Sequence, residues 1–347
     1  MSAGDGAERG EDPEPSSGLM PSAEADSKKS GSLARVSVVV AAHTRIRYLK
    51  QAVRSVVAQQ PEEIIVVKYG REPELDADLA ALGARVHVTQ ERYQGGKLAD
   101  GLEVATGDVV AFLDDDDVFL PGKIARVREV FADPRVIFHG HRYTPFRDIP
   151  PQRGTSGLLR LFETGQGNQY WEGLKPVVAS CASVRREALL PSLSALRQTT
   201  VADHAVFMLA VVARKWMAMD QSVLTGYHRV VADGTQRSSS SLWQEPQASA
   251  SGDISWMLDM LDSESGGVRR TLTPMVVSAV IHLVFVSGET EFHEYRRTMR
   301  ALLDGVGVRR PLAVMFVLMF GYPLSPRGTL ALYRTWKALA GDAEPRG

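Results

Sequence analysis

The chain has 347 residues with 40 basic and 41 acidic side chains. Its net charge of −1 gives no global electrostatic reason to bind nucleic acid, and we expect no nucleic-acid partner. Cys181 is the only cysteine, which excludes an internal disulfide and a thiolate metal cluster. With no secretory signal in the sequence, this cysteine usage predicts a cytoplasmic, reducing compartment.

Residues 1–33 differ in composition from the rest of the chain. They carry seven acids and three bases, a charge of −4, which leaves +3 for the remainder. They contain no aromatic residue and are rich in Ser, Pro, Gly and Ala. Such a segment buries too little apolar surface to offset the entropy of ordering, so it is predicted to be a disordered acidic tail.

From Val36 onward, short β-branched runs alternate with stretches in which apolar residues recur at helical spacing. Strands are predicted at 36–40, 64–67, 85–88 and 109–113, and helices at 48–57, 78–82 and 97–105. This alternation is typical of parallel strands joined by right-handed helical crossovers. Further on, we predict a loop-rich segment at 140–176, a strand at 177–184, a helix at 202–212, a Ser-rich loop at 233–252 and helices from Asp253.

Three of the predicted parallel strands end in polar residues, at 43–45, 68–70 and 114–117. Ligands of such sheets bind outside the carboxyl ends of the strands. The third of these ends consists of four consecutive aspartates, whose mutual repulsion a divalent cation would relieve. Mg²⁺ or Mn²⁺ suits such oxygen ligands. The alternative is a solvated acidic turn in which Asp117 caps a helix.

Two segments resemble family-2 glycosyltransferases with the GT-A fold. They are VSVVVAAHTRIRYLKQAVRSVVAQ at 36–59 and GGKLADGLEVATGDVVAFLDDDDVFLP at 95–121. The resemblance implies an α/β GT-A (Rossmann-like) fold, with a mostly parallel sheet flanked by helices and a C-terminal helical extension. The domain would cover 34–235, with a nucleotide-sugar half at 34–139 and an acceptor half at 140–235. A flexible loop and the helical region would follow at 236–347.

The resemblance also implies a nucleotide-diphosphate-sugar donor, a UDP-sugar by family habit. The family's Asp-x-Asp motif falls on Asp114 and Asp116. Asp116 is expected to ligate the metal directly, and Asp114 or Asp115 to contact the ribose or a metal-bound water. Lys97, beside a glycine pair, is expected to reach the phosphates; the alternative is a solvated lysine at a helix start.

In inverting members of the family, a carboxylate at the start of a later helix takes the proton of the acceptor hydroxyl. This position falls on Asp203, our predicted general base, although Ala202 replaces the first acid of the family's pair. A helix-capping role for Asp203 is the alternative. His204 is a rival base, because the pKa of histidine suits proton transfer near neutral pH.

Further donor contacts follow from the same resemblance. In the segment Gly226–Arg229, His228 or Arg229 is expected to bind metal or diphosphate, and Arg237 is expected to join as the following loop closes. The alternative is a pair of surface residues at a strand edge. The resemblance also implies that Ala42 and His43, at the end of the first strand, contact the base, on which His43 could stack.

One position departs from the family pattern. Lys68 stands where the family has an acid that hydrogen-bonds the base, and an ammonium group cannot accept from uracil N3–H. Tyr69 would then supply the base contact by stacking or through its hydroxyl. Lys68 itself would suit another nucleotide or add affinity for phosphate.

The C-terminal region contains two apolar runs, at 276–286 and 312–320. Both are shorter than the roughly 20 residues of a bilayer span, so we predict core helices. Nearby bases could nevertheless contact anionic lipid at the inner face of the membrane. The acceptor is left open between a sugar, a lipid-linked molecule and another small molecule; the alternative for the bases is a solvated face.

Three other functions were weighed against a glycosyltransferase. A nucleotidyltransferase would carry a glycine-rich loop after the first strand, where 41–47 has no glycine. A dinucleotide dehydrogenase is disfavoured for the same reason. A non-catalytic nucleotide-sugar-binding protein that kept the fold stays open, since Lys68 and Ala202 replace two family acids.

Overall fold

The computed structural model describes residues 33–43, 45–164, 178–200, 202–229, 248–269, 271–273 and 276. Almost all of the predicted acidic tail, Arg237 and the apolar run 312–320 lie outside these residues, as does 276–286 apart from Val276. Within the described part of the chain, no helix is long and apolar enough to cross a membrane.

The first half of the chain forms the predicted parallel layer. Its strands are β1 (Val36–Ala42), β2 (Glu63–Tyr69), β3 (Arg85–Thr89) and β4 (Val109–Asp114), and its helices are α1 (Ile46–Val57), α2 (Pro73–Ala81) and α3 (Gln94–Val104). The strands lie in the order β3-β2-β1-β4, and each pairing is parallel. All seven residues of β1 are buried, as expected for a strand with helices on both faces. The predicted parallel strands are therefore confirmed.

The second half continues the same sheet with mixed strand directions. It contains β5 (Val118–Phe119), β6 (Val136–Phe146), β7 (Leu159–Glu163), β8 (Ala182–Arg185) and β9 (Trp216–His228), with helices α4 (Lys123–Val130), α5 (Arg186–Leu189), α6 (Leu193–Arg197), α7 (Ala202–Val212) and α8 (Ala248–Ser263). The sheet runs on as β4-β8-β6-β9-β5, with β7 on β9. β6 and β9 are parallel, whereas the remaining pairs are antiparallel.

Three predicted boundaries in this half were wrong. The loop predicted at 140–176 contains the end of β6 and all of β7, whose largely exposed residues hide the strand signal. The strand predicted at 177–184 begins with a 3-10 turn at Ala179–Cys181, because the Ser180 carbonyl accepts side-chain hydrogen bonds instead of joining a ladder. The loop predicted at 233–252 ends earlier, since α8 starts at Ala248.

Two apolar clusters cover the faces of the sheet. One contains buried residues of α3, α7 and α8, including Leu98, Phe207 and Met257. The other contains buried residues of α1 and α4, including Leu49 and Ile124. Helix α8 therefore packs on the same core as the sheet. This arrangement leaves the carboxyl ends of β1, β2 and β4 together at one edge, where the polar strand ends predicted a site.

Candidate active site

The four aspartates form a tight turn between β4 and β5. Asp115, Asp116 and Asp117 are 4%, 2% and 1% exposed, and Asp114 is partly exposed. The alternative of a solvated acidic turn is therefore wrong. Asp117 caps no helix, because the next helix, α4, begins at Lys123 with Gly122 at its N-cap.

Asp115 fixes the loop that follows β1. Its Oδ2 accepts hydrogen bonds from the backbone N–H of His43 at 2.7 Å and of Arg45 at 3.0 Å. The carboxylate thus ties the carboxyl ends of β1 and β4 together. Its predicted contact with ribose or a metal-bound water remains a prediction.

Asp116, the predicted direct metal ligand, faces two nitrogen groups. Its Oδ2 lies 2.6 Å from Nη1 of Arg45 and 3.3 Å from Nδ1 of His228. The other ring nitrogen of His228, Nε2, lies 2.8 Å from the Arg147 carbonyl oxygen. Both ring nitrogens thus already contact oxygen atoms, so His228 would have to give up one contact to ligate a metal.

Asp117 and Asp114 carry strongly perturbed carboxyl groups. Asp117 Oδ1 accepts from the backbone N–H of His228 at 2.8 Å, while Oδ2 is buried with no hydrogen-bond partner among the described residues. Burial, together with the charge of Asp116, raises the pKa of Asp117 to about 8. Burial and the charges of Asp203 and Asp117 raise the pKa of Asp114 well above its ordinary value. The acids of this site therefore repel one another and favour proton or cation binding.

Asp203 lies in the first turn of α7 and close enough to Asp114 to affect its ionisation. Its Oδ1 accepts the backbone N–H of Ala179 at 2.9 Å, across 24 residues of chain. Burial raises the pKa of Asp203 to about 6. The carboxylate thus binds a distant segment of the fold. His204 follows on the same helix, and the choice between the two as base remains a prediction.

The segment 179–181 connects the aspartate turn to Asp203. While Ala179 donates to Asp203, the Ser180 hydroxyl accepts the backbone N–H of Asp114 at 3.0 Å. Beneath it, the ammonium of Lys123 donates to the Ser180 carbonyl at 2.6 Å. One short segment therefore sets the separation between the two carboxylates.

Lys97 is buried, with 1% of its surface exposed, so the alternative of a solvated lysine is wrong. Its ammonium donates to His43 Nδ1 at 2.9 Å and to the Arg92 carbonyl at 3.0 Å. Burial and the charges of Lys97 and Arg45 lower the pKa of His43 to about 4. The imidazole is therefore neutral near pH 7, with Nδ1 as an acceptor.

The end of β2 presents a different pair of side chains. Tyr69 is 48% exposed, with the Arg92 guanidinium 5.6 Å from its ring centroid. Lys68 is buried, and its ammonium lies 2.8 Å from Asp76 Oδ1 on α2. Lys68 is thus tied to its own crossover helix. Ala42, buried at the end of β1, pairs in register with Lys68.

The chemistry of the aspartate turn suits a divalent cation, but the described residues of the protein do not supply a complete set of ligands. Among the described residues, no three carboxylate, imidazole or thiol side chains could hold a metal ion. Mg²⁺ commonly binds through one or two carboxylates plus substrate phosphates, which suits the two acids of the Asp-x-Asp motif, Asp114 and Asp116. The repulsion among the acids gives a cation a reason to bind there.

Several residues of the site escaped our residue assignments. Gln94 donates its side-chain amide to Asp114 Oδ1, and Arg45 pairs with Asp116. Tyr227 faces the acids, whose charges together with burial raise its pKa. In the sequence, Arg45 belongs to one of the polar strand ends and Tyr227 is next to His228, so both positions carried a sequence signal for the site. Ser180 had none, because a lone serine in an apolar run marks no site.

The model of the family "Glycosyl transferase family 2" matches residues 37–190. An uncharacterized glycosyltransferase of Nostoc sp. is 34% identical over 118 residues, which is 30% of this chain and 34% of that protein. The chain thus matches about a third of that relative's length.

Solved structures show the same fold. TarS 1–349 of S. aureus in complex with UDP-GlcNAc has a TM-score of 0.51 at 13% identity, covering 78% of this chain and 80% of that chain. The same protein in complex with UDP has a TM-score of 0.52 at 14% identity, covering 87% and 91%. Residues 37–190 are thus similar to glycosyl transferase family 2, and the fold of the chain is GT-A.

Proposed function

We propose that the protein transfers a sugar from a nucleotide-diphosphate-sugar to an acceptor hydroxyl, with inversion and with a divalent cation, Mn²⁺ or Mg²⁺. The observation that carries this proposal is the placement of Asp203 beside the aspartate turn. The segment 179–181 contacts both groups, since Ala179 donates to Asp203 and the Ser180 hydroxyl accepts from Asp114, and the charge of Asp203 raises the pKa of Asp114. This is the arrangement a base needs when leaving group and acceptor lie on opposite sides of a sugar.

In this proposal, Asp114 and Asp116 would hold the cation, which would neutralise the charge that develops on the departing nucleoside diphosphate. Asp203 accepts the proton of the acceptor hydroxyl as that oxygen attacks the anomeric carbon. The Ala179 N–H orients the carboxylate through Oδ1 and leaves Oδ2 for the proton. A carboxyl group whose pKa is about 6 is largely ionised at pH 7 and still basic enough to assist the attack.

The donor would lie along the carboxyl ends of β1 and β2. In this proposal, the neutral ring of His43 and the exposed ring of Tyr69 would stack on the base, next to Ala42. The ammonium of Lys97 and the predicted loop residue Arg237 would contact the phosphates, and Asp115 would contact the ribose. TarS of S. aureus has been solved with UDP-GlcNAc and with UDP, which supports a UDP-sugar as the first donor to test.

The metal assignment is tested by turnover of a nucleotide-sugar panel at varied Mn²⁺ concentrations. Asp116→Asn should raise the Mn²⁺ concentration for half-maximal donor turnover by about tenfold or more, because the ligand loses its charge. Asp78→Asn, an exposed acid on α2, is the matched control and should behave as wild type. Unchanged metal dependence in Asp116→Asn would refute the assignment.

A non-catalytic nucleotide-sugar-binding protein is the second candidate, supported by Ala202 in place of an acid beside Asp203. Calorimetry separates the two: UDP binding without turnover of any donor, with or without acceptors, favours the binding protein.

The location that we propose is cytoplasmic, at the inner face of the membrane, with a sugar, lipid-linked or small-molecule acceptor. Failure to co-sediment with anionic vesicles at low salt would remove the membrane contact.

A further inference from the structure

The carboxylate assigned to the cation is already in contact with a charged group of the protein. Asp116 is 2% exposed at its side chain, and its Oδ2 lies 2.6 Å from Nη1 of Arg45. The His228 ring approaches the same oxygen at 3.3 Å. The guanidinium therefore lies where a cation bound through Oδ2 would lie.

Arg45 is held there by the aspartate turn as a whole. Its backbone N–H donates to Asp115 Oδ2 at 3.0 Å, which fixes the start of its side chain. The charges of Asp116, Asp115 and Asp114 stabilise its guanidinium. Its side chain is nevertheless 28% exposed, unlike that of Asp116, so it can leave toward solvent without disturbing the core.

Two positive groups cannot share one carboxylate oxygen without strong repulsion, which is largest where water is excluded. A metal ion alone, bound by two carboxylates, gains too few ligands to expel the guanidinium. A nucleoside diphosphate changes this balance in two ways. It supplies phosphate oxygens to the metal, and it offers the arginine an acceptor that the planar guanidinium fork matches.

Building on the proposed function, we propose that Arg45 is a displaceable internal cation of the metal site. It holds Asp116 in the nucleotide-free protein and passes to the diphosphate when metal and nucleotide bind together. Metal binding is thereby made conditional on nucleotide. The protein without its donor keeps Asp116 paired with Arg45 and takes up little free metal.

The test is a titration of full-length protein with Mn²⁺, followed by the EPR signal of the free ion, with and without UDP. In wild type, we expect Mn²⁺ to bind about tenfold or more weakly without UDP than with it. Arg45→Gln should bind Mn²⁺ without UDP about tenfold more tightly than wild type does, since a nearby positive charge is gone. Arg45→Lys, which keeps the charge but loses the fork, should fall between them.

Arg54→Gln is the matched control, because it removes the same charge from the exposed face of α1. It should bind Mn²⁺ as wild type does. If Arg45→Gln binds Mn²⁺ without UDP no better than the control, the inference is overturned. Adding Asp116→Asn to Arg45→Gln should abolish the gained binding; if the gain persists, the metal assignment of the proposed function is at fault instead.

Discussion

Lys123 gives the sharpest prediction about stability, because its ammonium is fully buried below the aspartate turn. It donates to the Ser180 carbonyl at 2.6 Å and to Thr225 Oγ1 at 3.3 Å, and it lies 3.6 Å from the centroid of the Phe119 ring. Burial lowers the pKa of this amine from 10.5 to about 7, partly opposed by the charges of Cys181, Asp117 and Asp114.

The size of the effect on the free energy of unfolding follows from the difference in protonation of Lys123 between the folded and unfolded chains. Between pH 7 and 10.5 the unfolded chain holds the proton while the folded chain releases it. Unfolding then takes up a proton, so the free energy of unfolding rises with pH, by about 1.3 kcal/mol per pH unit. Below about pH 7 both forms are protonated and this contribution is flat.

Lys123→Met keeps the length of the side chain and removes the titrating group. Between about pH 7 and pH 9, we expect wild type to gain roughly 2 kcal/mol of stability relative to this variant. Urea unfolding at about pH 7, 8 and 9 measures the difference, with Lys50→Met as the control, since this lysine of α1 keeps 41% of its side chain exposed. A difference between wild type and Lys123→Met that stays constant over this range would refute the argument from burial.

Three further predictions concern the site. Because Asp203 must be ionised to accept a proton, kcat/KM should fall as pH drops through about 6, the pKa to which burial raises this group; a profile flat to pH 5 would exclude it as base. Gly95→Ala should destabilise the fold by roughly 1–3 kcal/mol, since the new Cβ would lie 2.3 Å from the Leu196 carbonyl oxygen. A thermal melt measures the loss of stability, and an unchanged Tm would contradict this close packing. Lys97→Met should raise the pKa of His43 only part of the way from about 4 toward its ordinary value, because burial is the larger cause of the shift and Arg45 remains. NMR titration of the His43 ring measures this pKa, and an unchanged value would contradict the contact between Lys97 and His43.

The parallel half of the fold was predictable from its sequence because local patterns determine it. A β-branched run such as Val36–Val40 suits a strand covered on both faces, and the polar residues that follow mark the carboxyl edge. The aspartate turn was predictable for the same reason, since its four acids are adjacent in the chain. The half of the fold with mixed strand directions was not predictable, because exposed strands such as β7 lack the apolar alternation that identifies a strand.

Pairings across the chain escaped prediction. Arg45 and Asp116 are 71 residues apart, and Lys97 and His43 are 54 apart, so no local pattern links them. The role of Ser180 depends on a 3-10 turn that leaves its hydroxyl and carbonyl to Asp114 and Lys123. Such contacts arise only when the sheet brings the strand ends together.

In the proposed mechanism, the aspartate turn binds the nucleotide while Asp203 acts only in the chemical step. This mechanism is tested most directly by comparing wild type and Asp203→Asn in two assays, turnover of UDP-sugars and the rise in Tm caused by UDP with Mn²⁺. We predict that Asp203→Asn keeps the rise in Tm and loses about a hundredfold or more in turnover. Full turnover in Asp203→Asn, or loss of the rise in Tm together with turnover, would contradict the claim.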